Sequence, residues 1–422
     1  MFALLDLPEE VLRHIVAFAT STTLARPTYL PEVTYVFDST PMHQAARSVG
    51  LATRRSLNET SRLLRALSAE FIFDDVTLKS ASSVDEFADF LSRVNAGWWV
   101  RKLKITFLSQ WALVHQPTHA KALARLIYLC PRLLVFEDAL LTGAGGVTPI
   151  VLSALAARDS LRAIGWTGQA YPSTRDIQTL LRCLPNLETL HLQGCNPSVH
   201  PSRAGLEPSV PESMQAPVLQ YLTLRLAEMR GADMFPLLVA ASIPSLTHLV
   251  LIGNVYFGGN IAAKTAALRE FFDVHGTRLE SLDIRDDDCF EPVGPVVELL
   301  SKCANLKEVI YPVSCTSPLC EMNEVERVGL RGVVPDLLSS THSLDNAQTA
   351  LRYLDAHLDV LLNGGLPKLK TIQFMDAEVL DGYPELKRLS PHAQIYLAAF
   401  GARCTATGVK VVDPTGAVIC FD

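Results

Sequence analysis

The sequence has no surplus of positive charge and no long apolar run. Its 37 lysines and arginines are outnumbered by 44 aspartates and glutamates, which gives a formal net charge of −7. Nucleic acids and anionic membranes select basic surfaces, so neither is expected as a partner. No apolar run approaches the roughly 20 residues that a membrane span requires. The acidic segment Met1–Glu10 does not have the basic character of a secretion signal.

A helix, a turn and a short strand form a unit that recurs along the chain. Its clearest copy ends in Leu187–Cys195, which reads Leu-x-x-Leu-x-Leu-x-x-Cys. Alternate side chains of a strand share a face, so Leu190 and Leu192 are expected to point inward. One unit cannot bury its own apolar face, so the copies are expected to stack. Related segments begin at Val100, Leu133, Leu161, Leu219, Leu246, Leu279, Leu306, Leu369 and, more weakly, Val325.

The spacing of the copies predicts the fold class. From Val100 to Leu306 the copies lie about 26–33 residues apart, which is typical of leucine-rich repeats that contain a helix. With 49% apolar and only 19% charged residues, the chain can bury the large core that such an array needs. We therefore expect an α/β leucine-rich-repeat solenoid, with parallel strands on the concave face and helices on the convex face. The pattern loosens after Tyr311, which predicts atypical C-terminal repeats.

Three cysteines stand just before a repeated strand segment, namely Cys130, Cys183 and Cys303. Cysteine is among the most buried residue types and packs as a small apolar residue, so all three are expected in the core. The total of nine cysteines is odd, and we expect reduced thiols. Reduced cysteines predict a cytoplasmic or nuclear protein.

The N-terminal segment is predicted to be helical. Asp6 and Glu9 have the spacing of a capping box, with a proline in the first turn, and apolar residues follow with a helical period. A second helical region is predicted from about Met42 to Glu70. Residues 21–42 lie between the two regions, contain three prolines and are predicted to form a loop.

This segment resembles an F-box. The resemblance is carried by Leu7-Pro8-Glu9-Glu10-Val11-Leu12 with Ile15, and by Leu57–Arg62 with Leu64–Leu67. With its repeats, the chain resembles fungal F-box proteins that have degenerate leucine-rich repeats. The resemblance implies an F-box-like helical domain over residues 1–78, with an inserted loop at about 21–42, and a repeat domain over residues 79–422.

The resemblance also implies a function. The chain would be the substrate-recognition subunit of an SCF-type cullin ubiquitin ligase, in which the F-box helix docks in a groove of the Skp-type adaptor and so reaches the cullin. The residues expected to bind the adaptor are Leu7, Pro8, Val11, Leu12 and Ile15.

The outward positions of the repeat strands are expected to bind a target protein. They are polar and mixed in charge, and they include tyrosine and arginine, the usual anchors of interfaces. The predicted target-binding face consists of Thr189, His191, Gln193, Tyr221, Thr223, Arg225, His248, Asp283 and Arg285.

No catalytic, cofactor-binding or metal-binding site is predicted. The glycine-rich segment Thr142–Gly146 has neither the lysine nor the serine of a phosphate loop. The adjacent carboxylates Asp286–Asp288 repel one another and could attract a cation or a basic partner, although a solvated loop suits them better. The chain is therefore not expected to be an enzyme. Two alternatives to the ligase subunit remain: a repeat scaffold in which residues 1–78 are only a cap, and a repeat-fold regulator of a GTPase or another enzyme.

Overall fold

From Asp75 onward, parallel strands alternate with helices in the computed structural model. The described residues fall into two units: those up to Leu192 belong to the first and those from Gln215 to the second. The structure describes residues 7–20, 41–106, 117–139, 145–167, 170–192, 215–225, 234–252, 261–285, 299–313, 322–332, 344–363, 365–375, 391–413, 416 and 418–419.

Three helices open the first unit: α1 (Glu9–Thr20), α2 (Pro41–Thr60) and α3 (Arg62–Asp74). The second predicted helical region is therefore two helices, divided at Ser61. The Ser61 side chain caps α3 by accepting a hydrogen bond of 3.1 Å from the Leu64 amide. A serine at this position satisfies a backbone donor that has no partner within the helix, which is why a new helix begins here.

The three helices share a small apolar core. Leu12 and Val16 of α1 are buried with Leu64 and Leu67 of α3. The partly buried Leu57 and Phe71 pack around them. This core fixes the side of α1 that faces the rest of the first unit, and so decides which of its residues are left at the surface.

Five parallel strands form the main sheet of the first unit. They pair in the order β1 (Asp75–Leu78), β2 (Lys102–Ile105), β3 (Val135–Asp138), β5 (Ala163–Trp166) and β7 (Thr189–Leu192). Two-residue strands β4 (Gly145–Gly146) and β6 (Ala170–Tyr171) pair separately. The helices α4 (Ala81–Val94), α5 (Pro117–Leu129), α6 (Pro149–Ala156) and α7 (Thr174–Cys183) pack each on the next. Strand β1 falls at the end of the predicted helical domain, and it pairs with β2, the first repeat strand. The predicted domain boundary at residue 78 stays a prediction.

Seven parallel strands form the sheet of the second unit. They are β8 (Tyr221–Arg225), β9 (His248–Ile252), β10 (Ser281–Arg285), β11 (Glu308–Pro312), β12 (Arg327–Arg331), β13 (Thr371–Phe374) and β14 (Lys410–Val412), and each pairs with the next. The described helices are α8 (Met234–Ala240), α9 (Ile261–His275), α10 (Leu344–Leu362) and α11 (Pro391–Ala406). Short 3-10 helices precede strands at Gly97–Trp99, Gly276–Arg278 and Leu300–Lys302.

The strand prediction is confirmed. Every repeat strand that the leucine pattern predicts forms, including the weaker copy that begins at Val325. Leu187, Leu190 and Leu192 are exposed by only 2%, 1% and 0%. The α/β architecture of parallel strands and helices is therefore present in both units.

The repeats share a backbone turn and a backbone ladder. In nine of the turns the leading residue of the strand segment donates its amide to the carbonyl three residues earlier, as Leu187 does to Leu184 at 3.1 Å. In the ladder one carbonyl just before a strand accepts two amides from the following repeat, as Arg101 accepts from Leu134 and Val135. The same double acceptance recurs at Leu134, Arg162, Gln220, Thr247, Glu280, Lys307 and Glu326. Backbone bonds, which do not depend on side-chain identity, therefore fasten neighbouring repeats within each unit.

Glycine occupies the first position of this turn in two repeats. A Cβ added to Gly97 would collide with the backbone carbonyl of Leu129, and one added to Gly276 would lie 3.0 Å from the carbonyl oxygen of Lys302. A methyl group is therefore excluded at Gly97, and at Gly276 it would require the carbonyl of Lys302 to shift. At both places the missing side chain lets one turn pack directly on the turn of the next repeat.

The cysteine prediction holds for two of the three residues. Cys130 and Cys303 are buried, but Cys183 is exposed. The first two stand three residues before the leading leucine of their strands, whereas Cys183 stands four residues before Leu187. Leu184, which stands three residues before Leu187, takes the buried turn position instead. The prediction that Cys183 lies in the core is therefore wrong, because Cys183 stands one residue too early in the sequence. None of the described helices is both long and apolar enough to cross a membrane.

Candidate functional site

The first candidate surface is an apolar stripe along α1 and the residues before it. Leu7, Val11 and Ile15 recur every four residues; Val11 and Ile15 share one side of α1, and Leu7 lies just before the helix begins. Their exposed fractions are 36%, 42% and 38%, and Pro8 is exposed beside them. Single exposed apolar residues are common, but a contiguous row is typical of a surface that binds a partner. We call these three side chains the N-terminal stripe.

Leu12 lies on a neighbouring side of this helix. Successive helical residues are rotated by about 100°, which turns Leu12 away from Val11 and into the core with Leu64 and Leu67. It is exposed by only 1%. The structure therefore places Leu12 inside the protein, where it supports α1. The other four residues expected to bind the adaptor are at the surface, and their role in binding stays a prediction.

The second candidate surface is the outer face of the sheets, formed by alternate strand side chains that point away from the buried leucines. In the first unit it includes Thr189 and His191 of β7. Gln193 lies outside the described residues. The predicted residues in the second unit are Tyr221, Thr223 and Arg225 of β8, His248 of β9, and Asp283 and Arg285 of β10.

Burial separates these residues into two groups. Thr189, Thr223 and Asp283 are exposed by only 2%, 7% and 6%. Partial exposure is found for His191, Tyr221, His248 and Arg285. Strand alternation correctly gives the direction of a side chain but not its depth. The partly exposed group is the one that can touch a partner directly, and this role too stays a prediction.

A row of aligned side chains crosses the first strands of the second unit. Tyr221, His248, Ser281 and Glu308 follow one another in register. The Tyr221 and His248 rings are tilted against each other with centroids 4.4 Å apart. Burial lowers the pKa of His248 to about 4, so its imidazole is neutral at pH 7. The row therefore presents neutral aromatic surface at the β8–β9 end.

The row becomes acidic and then basic toward β12. Ser281 donates a hydrogen bond of 2.8 Å to Glu308, and Arg327 lies 3.6 Å from the other carboxylate oxygen of Glu308. Burial raises the pKa of Glu308 to about 7, although the bond from Ser281 and the charge of Arg327 both oppose the rise. Glu308 is therefore poised between its charged and neutral forms at neutral pH.

A second charged group surrounds Asp283, which lies two residues after Ser281 on β10. Asp283 accepts from Arg285 Nε at 2.8 Å and from Arg331 Nη2 and Nε at 2.9 and 3.2 Å. Burial on its own would raise the pKa of Asp283. The two guanidiniums outweigh burial and hold the pKa below its ordinary value. Asp283 is thus a charged, buried carboxylate shared by two arginines.

Sequence reasoning missed Ser281, Glu308, Arg327 and Arg331. The signal that could have found them is strand alignment, because each occupies the same outward position in its strand as a residue that was predicted. In the first unit the outer face also pairs its charges, with Lys104 Nζ 2.6 Å from Glu137 Oε1. Within the described ranges, no group of three or more histidine, cysteine, aspartate and glutamate side chains is placed to hold a metal ion.

Comparison with known proteins adds little. No protein-family model matches the chain, and no curated protein matches it. A protein of Bacteroides fragilis with a solved structure is similar at 13% identity and a TM-score of 0.35, over 88% of this chain and 84% of that one. The crystal structure of the yeast Rad7–Elc1 complex contains a chain similar at 11% identity and a TM-score of 0.25, over 82% of this chain and 94% of that one. Both TM-scores are low, so the fold rests on the repeat geometry of the chain itself.

Proposed function

We propose that this protein is the substrate-recognition subunit of an SCF-type cullin ubiquitin ligase, in the cytoplasm or nucleus. The N-terminal stripe would bind a Skp-type adaptor, and the outer face of the repeat sheets would bind a target protein. The observation that carries the proposal is the stripe itself: Leu7, just before α1, and Val11 and Ile15 on it are exposed, while Leu12 and Val16 anchor the helix in the core.

The energetics suit helix-in-groove binding. Fully burying an exposed large apolar side chain contributes roughly 1.5–3 kcal/mol. The three side chains are 36–42% exposed, so burying what remains of them contributes about 2–3 kcal/mol in all. Association costs at least about 4 kcal/mol in lost translational and rotational freedom, although a helix that is already held in place loses little further entropy on binding. The stripe would therefore supply part of the affinity, and further contacts of the adaptor would supply the rest.

The repeats would supply the target side of the bridge. Each strand adds outward side chains at a fixed spacing of about 4.8 Å, so neighbouring strands offer a continuous surface of polar and apolar positions. The transfer of ubiquitin would belong to other subunits, and this chain would act by binding alone.

A direct binding experiment tests the adaptor half. The full chain is titrated with purified Skp-type adaptor by calorimetry, as wild type and as the double variant Val11→Asp with Ile15→Asp. The matched control is Ile150→Asp with Val274→Asp, which places two charges at helix positions that are each 40% exposed. We expect the wild type and the control to bind equally, and the stripe variant to bind at least about tenfold more weakly.

Two results would contradict the proposal. One is that the folded wild-type chain does not bind the adaptor. The other is that the stripe variant and the control lose affinity equally. Either result would favour a repeat scaffold or regulator without a ligase connection, in which the N-terminal helices only cap the first unit.

A further inference from the structure

We infer that two consecutive turns of the first unit bind an acidic segment of a partner protein that also carries an apolar side chain. The site consists of three exposed aromatic residues and two arginines that lie over two of their rings. We call these five side chains, Trp98, Trp99, Tyr128, Arg132 and Arg158, the aromatic turn surface. It shares no residue with the N-terminal stripe or with the outer face of the sheets, so the inference goes beyond the proposed function and does not rest on it.

The exposed aromatic side chains of the described chain are concentrated at this one place. Trp98, Trp99 and Tyr128 are 51%, 40% and 49% exposed. Within the described residues, every other large apolar side chain of comparable exposure is aliphatic. Tryptophan, tyrosine and arginine are the residue types that most often anchor protein interfaces. A surface of this composition is typical of a binding site.

A glycine brings two of the aromatic residues together. The 3-10 helix Gly97–Trp99 lies against the end of α5, where a Cβ on Gly97 would collide with the backbone carbonyl of Leu129. Trp98 follows Gly97 and Tyr128 precedes Leu129, so the two side chains flank one backbone contact. The surface is therefore built by the packing of one repeat turn on the next.

Each arginine comes from the repeat after the one that supplies the ring beneath it. Arg132 Cζ lies 5.3 Å from the centre of the Trp98 ring, and Arg158 Cζ lies 5.4 Å from the centre of the Tyr128 ring. These are cation–π distances. A guanidinium that lies over a ring still carries N–H donors at its edge, in the planar fork that matches a carboxylate. Two successive repeats thus present the same kind of anion-binding group.

The side chains are ordered before a partner arrives. Trp99 stacks on Phe73 of α3 with ring centroids 6.1 Å apart and an interplanar angle of 11°, while Trp98 and Tyr128 are held by the arginines over them. Tryptophan and tyrosine have few rotatable bonds and provide contact area at a low entropy cost. Little side-chain freedom is therefore left to lose on binding.

The charge of this surface selects an acidic partner. Arg101 and Arg162, which stand just before the neighbouring strands, form ion pairs with carboxylates at 3.6 and 2.8 Å. Among the described residues, Arg132 and Arg158 have aromatic partners and no acidic one. Asp159 follows Arg158 and is exposed, so two guanidiniums face one carboxylate and the surface keeps a net positive charge.

A protein segment fits this surface better than a nucleic acid does. Single-stranded nucleic acids also stack on aromatic side chains, but their binding grooves are strongly basic and follow the phosphate backbone. Here the excess is one positive charge, in a chain whose net charge is −7. An acidic peptide can place carboxylates at the edges of Arg132 and Arg158 and an apolar side chain against the Trp98 and Trp99 rings.

Peptide binding to the full chain tests the inference, with fluorescence anisotropy as the readout. The probe is a glutamate-rich peptide that carries one phenylalanine. It is compared with the same peptide with glutamine at every glutamate, with the same peptide with alanine at the phenylalanine, and with a single-stranded RNA oligonucleotide. We expect the probe to bind at least about tenfold more tightly than the glutamine peptide and about threefold or more tightly than the alanine peptide. The RNA is expected to bind more weakly than the probe.

Variants locate the site. Trp98→Ala is compared with Val274→Ala, which shortens a side chain that is 40% exposed in the second unit. Arg132→Gln is compared with Arg175→Gln, which removes an exposed guanidinium from α7 of the same unit. We expect about tenfold weaker probe binding for Trp98→Ala, about three- to tenfold weaker binding for Arg132→Gln, and less than a twofold change for both controls. Asp159→Asn is expected to strengthen binding.

Four results would overturn the inference: equal binding of the probe and either altered peptide, tighter binding of RNA than of the probe, equal loss in a variant and its control, or weaker binding of Asp159→Asn than of wild type. Thermal melting checks that each variant is folded. If Trp98→Ala prevents folding, the exposed Arg132 and its control decide the question. These variants leave the N-terminal stripe intact, so a failure here is distinguishable from a failure of adaptor binding.

Discussion

Arg13 of α1 donates a hydrogen bond of 3.1 Å to Glu70 of α3, while it also holds Glu9, one turn back on its own helix, at 3.0 Å. The hydrogen bond that Arg13 donates to Glu9 is the largest cause that raises the pKa of Arg13, and the charge of Glu70 adds to it. This pair joins the helix that carries the N-terminal stripe to the helix that leads into the repeats. The Arg13 and Glu70 side chains are 49% and 30% exposed, and exposed ion pairs contribute little to stability. We therefore expect this ion pair mainly to orient α1.

The first prediction separates the core of α1 from its surface. Leu12→Ala removes a buried side chain and is expected to lower the free energy of unfolding by about 2–5 kcal/mol. Arg13→Ala is expected to cost about 1 kcal/mol or less, because exposed ion pairs contribute little. Val11→Ala is expected to change stability by about 0.5 kcal/mol or less. Urea unfolding measures all three; equal losses for Leu12→Ala and Val11→Ala would contradict the packing.

The second prediction concerns Glu308 and pH. Burial raises its pKa from 4.5 to about 7, so the folded state favours the protonated form. Its stabilising contribution is therefore fully present below about pH 4.5 and is lost as pH rises through 7. Glu308→Gln cannot lose a proton, so its stability relative to wild type is expected to increase between pH 5 and pH 8, by on the order of 2–3 kcal/mol.

Urea unfolding at several pH values measures this difference. Glu86→Gln, which removes an exposed carboxylate on α4, serves as the control and is expected to show no such trend. A constant stability difference between wild type and Glu308→Gln across the range would contradict the burial of the Glu308 carboxylate.

The third prediction concerns His248, whose effect has the opposite sign. Burial lowers its pKa from 6.5 to about 4, so the unfolded state takes up a proton first as pH falls. The contribution of His248 to stability is present above about pH 6.5 and is lost as pH falls toward 4. Between pH 4.5 and 6.5 it therefore opposes Glu308.

The variant His248→Phe keeps an aromatic ring beside Tyr221 and removes the titration. Its stability is expected to fall more steeply with rising pH than that of wild type over this window. Titration of the wild-type imidazole resonances by NMR provides a direct check, because one histidine should titrate near pH 4. A midpoint near 6.5 for His248 would show that the ring is solvated.

The fourth prediction concerns the turn glycines. Gly97→Ala forces a methyl group against the backbone of Leu129, and backbone cannot rotate aside as a side chain can. We expect a loss of about 1–3 kcal/mol or more, as for other overpacking substitutions. Gly276→Ala has a less severe contact and should cost less. Thermal melting ranks them; Gly408→Ala, where a Cβ meets nothing within 4 Å but φ is +77°, serves as a control for backbone strain without a clash.

The strands were predictable because their signal is local. Leu190 and Leu192 alternate with polar residues, and a strand has a period of two. Each copy repeats that signal, so the parallel α/β fold follows from the sequence. The buried side of α1 was harder to predict from the sequence, because Val11, Leu12 and Ile15 are all apolar. Only the packing of Leu64 and Leu67 decides that Leu12 faces the core.

The burial of the outer-face residues could not be predicted from the sequence of their own strands. Asp283 has the outward position of its strand, but Arg331, which helps to cover it, comes from two strands further on. Cys183 is a miss of another kind, because the extra residue before Leu187 that moves it from the core to the surface can be counted in the sequence. For Asp283 the sequence pattern gives the position along the strand, whereas contacts between repeats decide burial.

In the backbone ladder, the first amides of each repeat strand depend on a carbonyl of the repeat before it. A carbonyl such as that of Arg101 accepts both of its amides from the repeat that follows, so each repeat protects its own amides with the carbonyl of its predecessor. Amide exchange should therefore be faster at β1 and β14 than at β3 and β10, each of which pairs with a strand on both sides. When the protein is heated or pulled, unravelling is expected to start at β1 or β14, and a chain shortened at a repeat boundary would begin to unravel at the cut.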